Sequence, residues 1–200
     1  MKPNLKLCLV TLFVLLVSGC VFTDSMVKIN YTPSKFTPVA SEKSTVTVER
    51  ITDQRGMEPN LLSYKGVQNR TSGRYLCEKE VSVIVTDATK AVLKNLGYSI
   101  LEDGGDHRLS GELLKFDSYV IMGFWSHDLE GVIQVNLRVK DSHKGTVVWN
   151  ETLSGNAKKT GLQIDNEDHR KEVAENTLDS LMYKIAESPS LRKALETKSP

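Results

Sequence analysis

The sequence predicts an α+β fold of two layers, a mostly antiparallel sheet with two helices on one face. Three observations carry that expectation. Residues 127 to 140 alternate apolar and polar side chains throughout, as a strand with one buried and one wet face does. Val81, Val85, Ala88, Val92 and Leu96 recur at helical spacing, and so do Val173, Leu178, Leu181, Met182 and Ile185. Two amphipathic helices and a half-wet sheet bury their apolar faces against each other, which makes two layers.

The elements follow in order. STVTVERI (44–51) reads as a strand carrying Val46, Val48 and Ile51, and runs into a turn at Thr52-Asp53-Gln54-Arg55-Gly56. Residues 56–75 hold Gly, Asn, Ser and Arg without a period, and read as a long loop with room for a short hairpin. VSVIV is β-branched, but its apolar face continues to Gly97, a left-handed stop, so 79–96 is read as a helix. YSIL (98–101) is a short strand and Glu102–Asp106 a turn. A long strand spans 107–122, with a phase shift near Leu113-Leu114 that marks a bulge. In the next strand, 127–140, Leu129, Gly131, Ile133, Val135, Leu137 and Val139 face inward. After a turn at 141–145, residues 146–155 return with Val147, Trp149 and Leu153 inward. Asp165 is expected to cap the final helix, Ser188-Pro189 to end it, and a last turn to hold Leu191 and Leu195. The order is β-α-β-β-β-β-α.

The chain has 200 residues, with 26 Lys+Arg against 25 Asp+Glu and 40% hydrophobic residues. That composition belongs to a globular protein and excludes wholesale disorder. A formal charge of +1 gives no reason to expect nucleic acid as a partner. The N-terminus is more specific. Lys2 and Lys6 precede the apolar run Leu7–Val17, which is shorter than the roughly 20 residues a spanning helix needs. The run fits the h-region of a secretory signal. It ends in Val17-Ser18-Gly19-Cys20, which resembles a bacterial lipobox. That resemblance implies diacylglycerol on the Cys20 thiol, cleavage before it and acylation of the new N-terminus. It divides the chain into a signal peptide (1–19), a lipidated cysteine and tether (20–43), one α+β periplasmic domain (44–196) and a tail (197–200). Within the tether, Val27, Ile29 and Tyr31 alternate and suggest an edge strand before Pro33. Val21 stands where lipoproteins retained in the inner membrane carry Asp, which implies the outer membrane, periplasmic face. Cys8 leaves with the signal. Cys77 is then alone in an oxidising compartment, either buried and inert or paired between chains.

The lipobox, Asp53-x-Arg55, Asn95-Leu96-Gly97-Tyr98, His107-Arg108-Leu109-Ser110-Gly111-Glu112, the Trp149 strand and the C-terminal helix together resemble the YajG-like family of bacterial lipoproteins. The resemblance covers most of residues 20–195. It implies location and fold, and little about activity.

The search for chemistry finds no catalytic, cofactor or metal site. His107, His127, His143 and His169 stand apart, without HExxH or Cys-x₂-Cys spacing. His127-Asp128-x-Glu130 comes nearest to a metal motif, but strand neighbours point to opposite faces. The acidic cluster Asp165–His169 suits either a hard cation or a helix N-terminus. Asp53 and Arg55 read as a structural salt bridge closing the loop after the first strand. One segment resists a bland reading. Val120-Ile-Met-Gly-Phe-Trp125 lies between the two longest strands, where a polar turn is normal. Either its aromatics fold onto the core, or Phe124 and Trp125 form an exposed partner surface. The functional expectation is a lipid-anchored, non-enzymatic interaction or envelope-assembly module that docks on an envelope protein or peptidoglycan. The alternative is a carrier for a small apolar ligand held between helices and sheet.

Overall fold

The computed structural model describes residues 23–33, 36, 45–67 and 70–196. The elements run β1 (Ser25–Val27), β2 (Thr45–Val48), β3 (Thr52–Asp53), β4 (Leu61–Val67), β5 (Arg70–Cys77), α1 (Val81–Asn95), β6 (Ser99–Leu101), β7 (His107–Met122), β8 (His127–Asp141), β9 (Val147–Leu162), α2 (Glu167–Glu187) and α3 (Pro189–Glu196). The larger sheet has the order β6-β2-β7-β8-β9, with β3 also on β7, and the smaller has the order β1-β5-β4.

The α+β class stands, and the antiparallel meander β7-β8-β9 forms its centre. Against it, β2 lies parallel to both β6 and β7. A parallel pair needs a crossover, and the chain between β2 and β6 supplies one that includes α1. The expected single strand 44–51 is interrupted. The chain leaves the ladder after Val48, buries Ile51 completely, and rejoins β7 at Thr52–Asp53, where a turn was expected.

Residues 61–77 form a full hairpin rather than a loop. Its period was invisible because the register shifts twice, between Leu61 and Ser63 and between Lys65 and Gly66. Each shift moves side chains to the opposite face. The edge strand near Val27 forms slightly upstream, at Ser25–Val27, parallel to β5. Ile29, Tyr31 and Phe36 then pack against the core, so this stretch is docked on the domain.

On β7 the bulge falls where the sequence placed it, between Leu113 and Lys115. It switches the buried phase from Leu109 and Leu113 to Phe116 and Ser118. A second irregularity corrects the reading of β9. Val139 pairs with Trp149 but Lys140 pairs with Val147, so β9 carries an extra residue there. Val147 is thrown out of phase and is 59% exposed, whereas Trp149 and Leu153 are both 8% exposed. β9 also continues past residue 155 to Leu162.

The apolar stripes of α1 and α2 meet the sheet in one main core, with Val173 packed against Leu129 and Leu162 in a smaller cluster. α2 rides on two glycines. A Cβ at Gly131 would lie 2.1 Å from Thr177 Oγ1, and one at Gly155 would lie 2.5 Å from both Leu181 N and Thr177 O. The expected last turn is a third helix, α3, which buries Leu191, Ala194 and Leu195. Its Ser190 Oγ accepts a 3.0 Å hydrogen bond from Trp149 Nε1. No helix among the described residues is long and apolar enough to cross a membrane.

Trp149 joins β9 to α3, so Trp149→Ala is expected to lower stability by about 3–5 kcal/mol in denaturant titration. An unchanged midpoint would show that the ring contributes nothing to the core.

Candidate functional site

Two features stand out, a buried polar cluster on one edge of β7 and an apolar turn at its end. The cluster follows from strand pairing. One edge of β7 is filled by β8 along its whole length. The other edge meets β2 at residues 107–109 and β3 at 112–113, and among the described residues no strand continues that ladder. Buried carbonyls without donors are costly. Two arginines supply the donors. Arg55 Nη1 donates to Leu61 O at 2.7 Å and Phe116 O at 3.3 Å. Arg170 Nη1 donates to Ser118 O at 2.6 Å, Ser118 Oγ at 3.0 Å and Ser63 Oγ at 3.3 Å.

Each guanidinium has its own carboxylate in fork geometry. Arg55 holds Asp53 through Nε (3.0 Å) and Nη2 (2.8 Å). Arg170 holds Asp165 through Nε (2.8 Å) and Nη2 (2.6 Å). The Arg170 side chain is fully buried, and its guanidinium lies 4.9 Å from the Tyr75 ring centroid. The Asp53–Arg55 pair is therefore the structural bridge the sequence suggested, and it ties β4 to β7. Burial pushes the Asp53 carboxyl up, but the hydrogen bonds and charge of Arg55 outweigh it and hold the group below the usual carboxylate range.

Asp165 does not cap α2. Asn166 takes that place, with extended φ −136° and ψ 172°, and its Oδ1 accepts the His169 N–H at 2.9 Å. Asp165 is committed to Arg170 instead. Sequence reasoning missed Arg170 because it sits in a polar run, and its partners Ser63, Tyr75 and Ser118 lie far away along the chain. With both ends of each guanidinium engaged, the cluster holds the two sheets together.

Of the remaining sequence candidates, Asp128 and Glu130 meet at one lysine and the others lie apart. Asp128 and Glu130 share Lys158 at 3.0 and 3.1 Å, and Tyr119 Oη donates to Glu130 at 2.9 Å. His143 lies 3.5 Å from Asp106 at the opposite end of the meander. Burial pushes the His107 imidazole below its ordinary pKa. Cys77 is buried, and burial pushes its thiol up to about 12, which suppresses the reactive thiolate. An open cleft of about 580 Å³ between α1 and β6 is lined by Lys90, Ala91, Lys94, Tyr98, Ser99 and Ile100.

The apolar turn is exposed. Gly123 N donates to Ser126 O at 2.8 Å and closes the turn tightly. A Cβ on Gly123 would lie 2.6 Å from that oxygen. Phe124 and Trp125 occupy the two central positions and are 89% and 83% exposed. Their rings contact edge to face with centroids 4.8 Å apart. Met122 beside them and Ile164, at the same end of the sheet, are also exposed. Of the two readings of this segment, folding onto the core is thus excluded.

Two predictions follow from the cluster. Arg170→Met is expected to lower stability by about 3–5 kcal/mol, because it strands Asp165 and the Ser118 carbonyl and leaves the Ser63 and Ser118 hydroxyls without this donor. Arg170→Lys should recover little of this, since an ammonium cannot form the fork; full recovery in urea unfolding would show that charge alone matters. The second concerns Asp117. Burial raises its carboxyl above the ordinary range, more than the Ser118 N–H and the nearby Lys115, Arg170 and Arg55 lower it. A raised folded pKa gives stability that is full at low pH and is lost as pH rises through that pKa. Asp117→Asn should therefore melt above wild type at pH 7, with the gap closing below about pH 4. A gap that does not change with pH would overturn the assignment.

Comparison with known proteins addresses family and fold. The family model Lipoprotein_16, described as an uncharacterized lipoprotein, matches residues 36–196. A search of curated proteins gives no significant match. Among solved structures, a Xanthomonas campestris protein of the DUF330 family shares 12% identity, covering 86% of this chain and 96% of that one, with a TM-score of 0.60. An uncharacterized protein shares 13% identity over 81% and 97% of the two chains, with a TM-score of 0.52. These two likenesses establish a shared fold. A minor lipoprotein from Acinetobacter baumannii is 10% identical over 75% and 94%, with a TM-score of 0.44. The lipoprotein resemblance read from the residues holds: the chain belongs to this family of uncharacterized lipoproteins.

Proposed function

We propose that this protein is a lipid-anchored lipoprotein of the outer membrane, facing the periplasm, and works there as a non-enzymatic module of the envelope. The observation that carries the reading is Val17-Ser18-Gly19-Cys20 directly behind an eleven-residue apolar run, in a chain of the lipoprotein family. Val21 in place of Asp supports the outer membrane as its destination. β1 begins at Ser25, five residues after Cys20, so a lipid there holds the domain close to the bilayer surface. The polar cluster supports a structural rather than catalytic role, because both arginines are spent on carboxylates and main-chain oxygens.

The carrier alternative is weaker on packing grounds. A small apolar ligand between helices and sheet needs space there, and α2 lies within a methyl's width of Gly131 and Gly155. The α1–β6 cleft is flanked by Lys90 and Lys94, which suits an apolar guest poorly.

Cys20→Ala is expected to abolish palmitate labelling and leave the precursor uncut, and normal labelling would refute the anchor. Val21→Asp should move the protein from outer- to inner-membrane fractions on a sucrose gradient. Wild-type protein recovered in inner-membrane fractions would refute the outer-membrane assignment.

A further inference from the structure

We infer that the β7–β8 turn, with Phe124 and Trp125 at its tip and Met122 behind, is a membrane-contacting wedge that inserts into the bilayer carrying the N-terminal lipid. The inference rests on the lipid-anchor reading above and goes beyond it by assigning an orientation and a contact surface.

The geometry fixes the end of the molecule at which β1 begins. Ser63 Oγ lies 3.2 Å from Ser118 Oγ, and Arg55 Nη1 bridges Leu61 O and Phe116 O. Residue 61 therefore lies beside 116 and residue 63 beside 118, so β4 runs with β7 toward the turn. Tyr75 pairs with Ser63 on one side and with Ser25 on the other, which puts Ser25 level with Ser118. β1 is parallel to β5, and β5 is antiparallel to β4. Going backwards along β1 is thus going toward the aromatic turn. Lys65 Nζ confirms the direction by donating to Thr23 O at 2.7 Å. Met122 lies four residues beyond Ser118, about 13 Å at strand rise. From Ser25 back to Cys20 is five residues, a reach of about 17 Å. A segment of that length is long enough to bring the Cys20 sulfur to the level of the turn, where acyl chains on it would enter the bilayer beside Phe124 and Trp125.

The chemistry of the turn fits a lipid surface. It is convex and narrow, and it ends in two aromatic rings that are almost wholly exposed. Trp and Phe belong to the residues that settle at the membrane interface. The charges beside the turn are engaged by lysines, Asp128 and Glu130 by Lys158 and Glu172 by Lys159. One lipid signal and a second contact together hold more firmly than either alone. A protein partner is the competing occupant, but nothing in the position of the turn calls for one, whereas the anchor brings the bilayer to it.

The protein's two tryptophans make the test direct. Trp125 is at the turn, and Trp149 is in the core near the other end of the meander. The full-length lipoprotein, purified from its membrane, is reconstituted into phosphatidylethanolamine/phosphatidylglycerol vesicles with and without brominated acyl chains. The expected result is a blue-shifted emission component quenched by bromine, and its loss in Trp125→Phe. Phe124→Ser with Trp125→Ser should keep the wild-type melting temperature, since neither ring is packed. Emission from Trp125 that stays red and is quenched by iodide in vesicles and in detergent alike overturns the wedge. So does protection that appears only in native envelope membranes, which would assign the turn to a protein partner. Palmitate labelling of the same preparation separates the two claims. Unlabelled protein refutes the anchor, whereas labelled protein with a water-exposed Trp125 refutes only the wedge.

Discussion

The arrangement depends on what happens to one edge of β7 beyond Leu113. The strand continues for nine residues after β3 ends, and β8 satisfies only its other side. An open ladder edge inside a protein must be paired, covered or charged. Here two arginines do the covering, each neutralised by an aspartate and each donating to an alternate carbonyl, Phe116 and Ser118. The bulge at Leu113/Lys115 sets this up, because it keeps the buried face continuous while the side-chain phase changes. The hairpin β4-β5 then packs against the edge instead of extending the ladder.

Buried ion pairs are weak evidence of stability, since desolvation offsets much of the attraction. Their effect here is better described as specification. Arg55 and Arg170 reach both the main chain of β7 and atoms of β4, so they fix how far β4 slides along β7. That offset passes through Tyr75 to Ser25, and so sets where β1 begins. A one-residue slip would move each carbonyl away from its guanidinium and reverse the faces of the hairpin. The polar cluster therefore has a consequence beyond its own neighbourhood: it sets the end of the domain at which β1 begins.

Legibility in the sequence followed a physical rule. Elements that bury one clean face were readable. β8, α1 and the stripe of α2 all keep an unbroken period against one core, and the bulge in β7 announced itself as a phase change. Elements with interrupted registers were not. The hairpin 61–77 shifts twice, and β9 hides an extra residue that misplaced Val147. The polar tail of β9, Asn156 to Gly161, pairs only with β8 and shows no apolar alternation. Arg170 illustrates a different limit. A buried arginine in a helix's first turn looks like any exposed one until Asp165, Ser118 and Tyr75 converge on it. The aromatic turn was flagged because Phe124-Trp125 violates turn chemistry, but only the closure of Gly123 on Ser126 decided that the rings point outward.

That closure bears on why such a turn persists. Gly123 and Ser126 complete it through main-chain atoms alone, and any small polar residues at the two central positions would serve equally well. Phe124 and Trp125 touch each other and add nothing to the core, so folding stability does not account for them. In a freely diffusing protein, an exposed aromatic pair beside Met122 is a liability for association. The proposed lipid at Cys20 would change that balance. It would confine the domain to a surface, turn one end toward the bilayer, and give the rings a partner always within reach. The same residues that make a free domain sticky would then limit its rotation about the tether, and the far end of the meander, with His143 and the charged turn around it, would face away from the membrane.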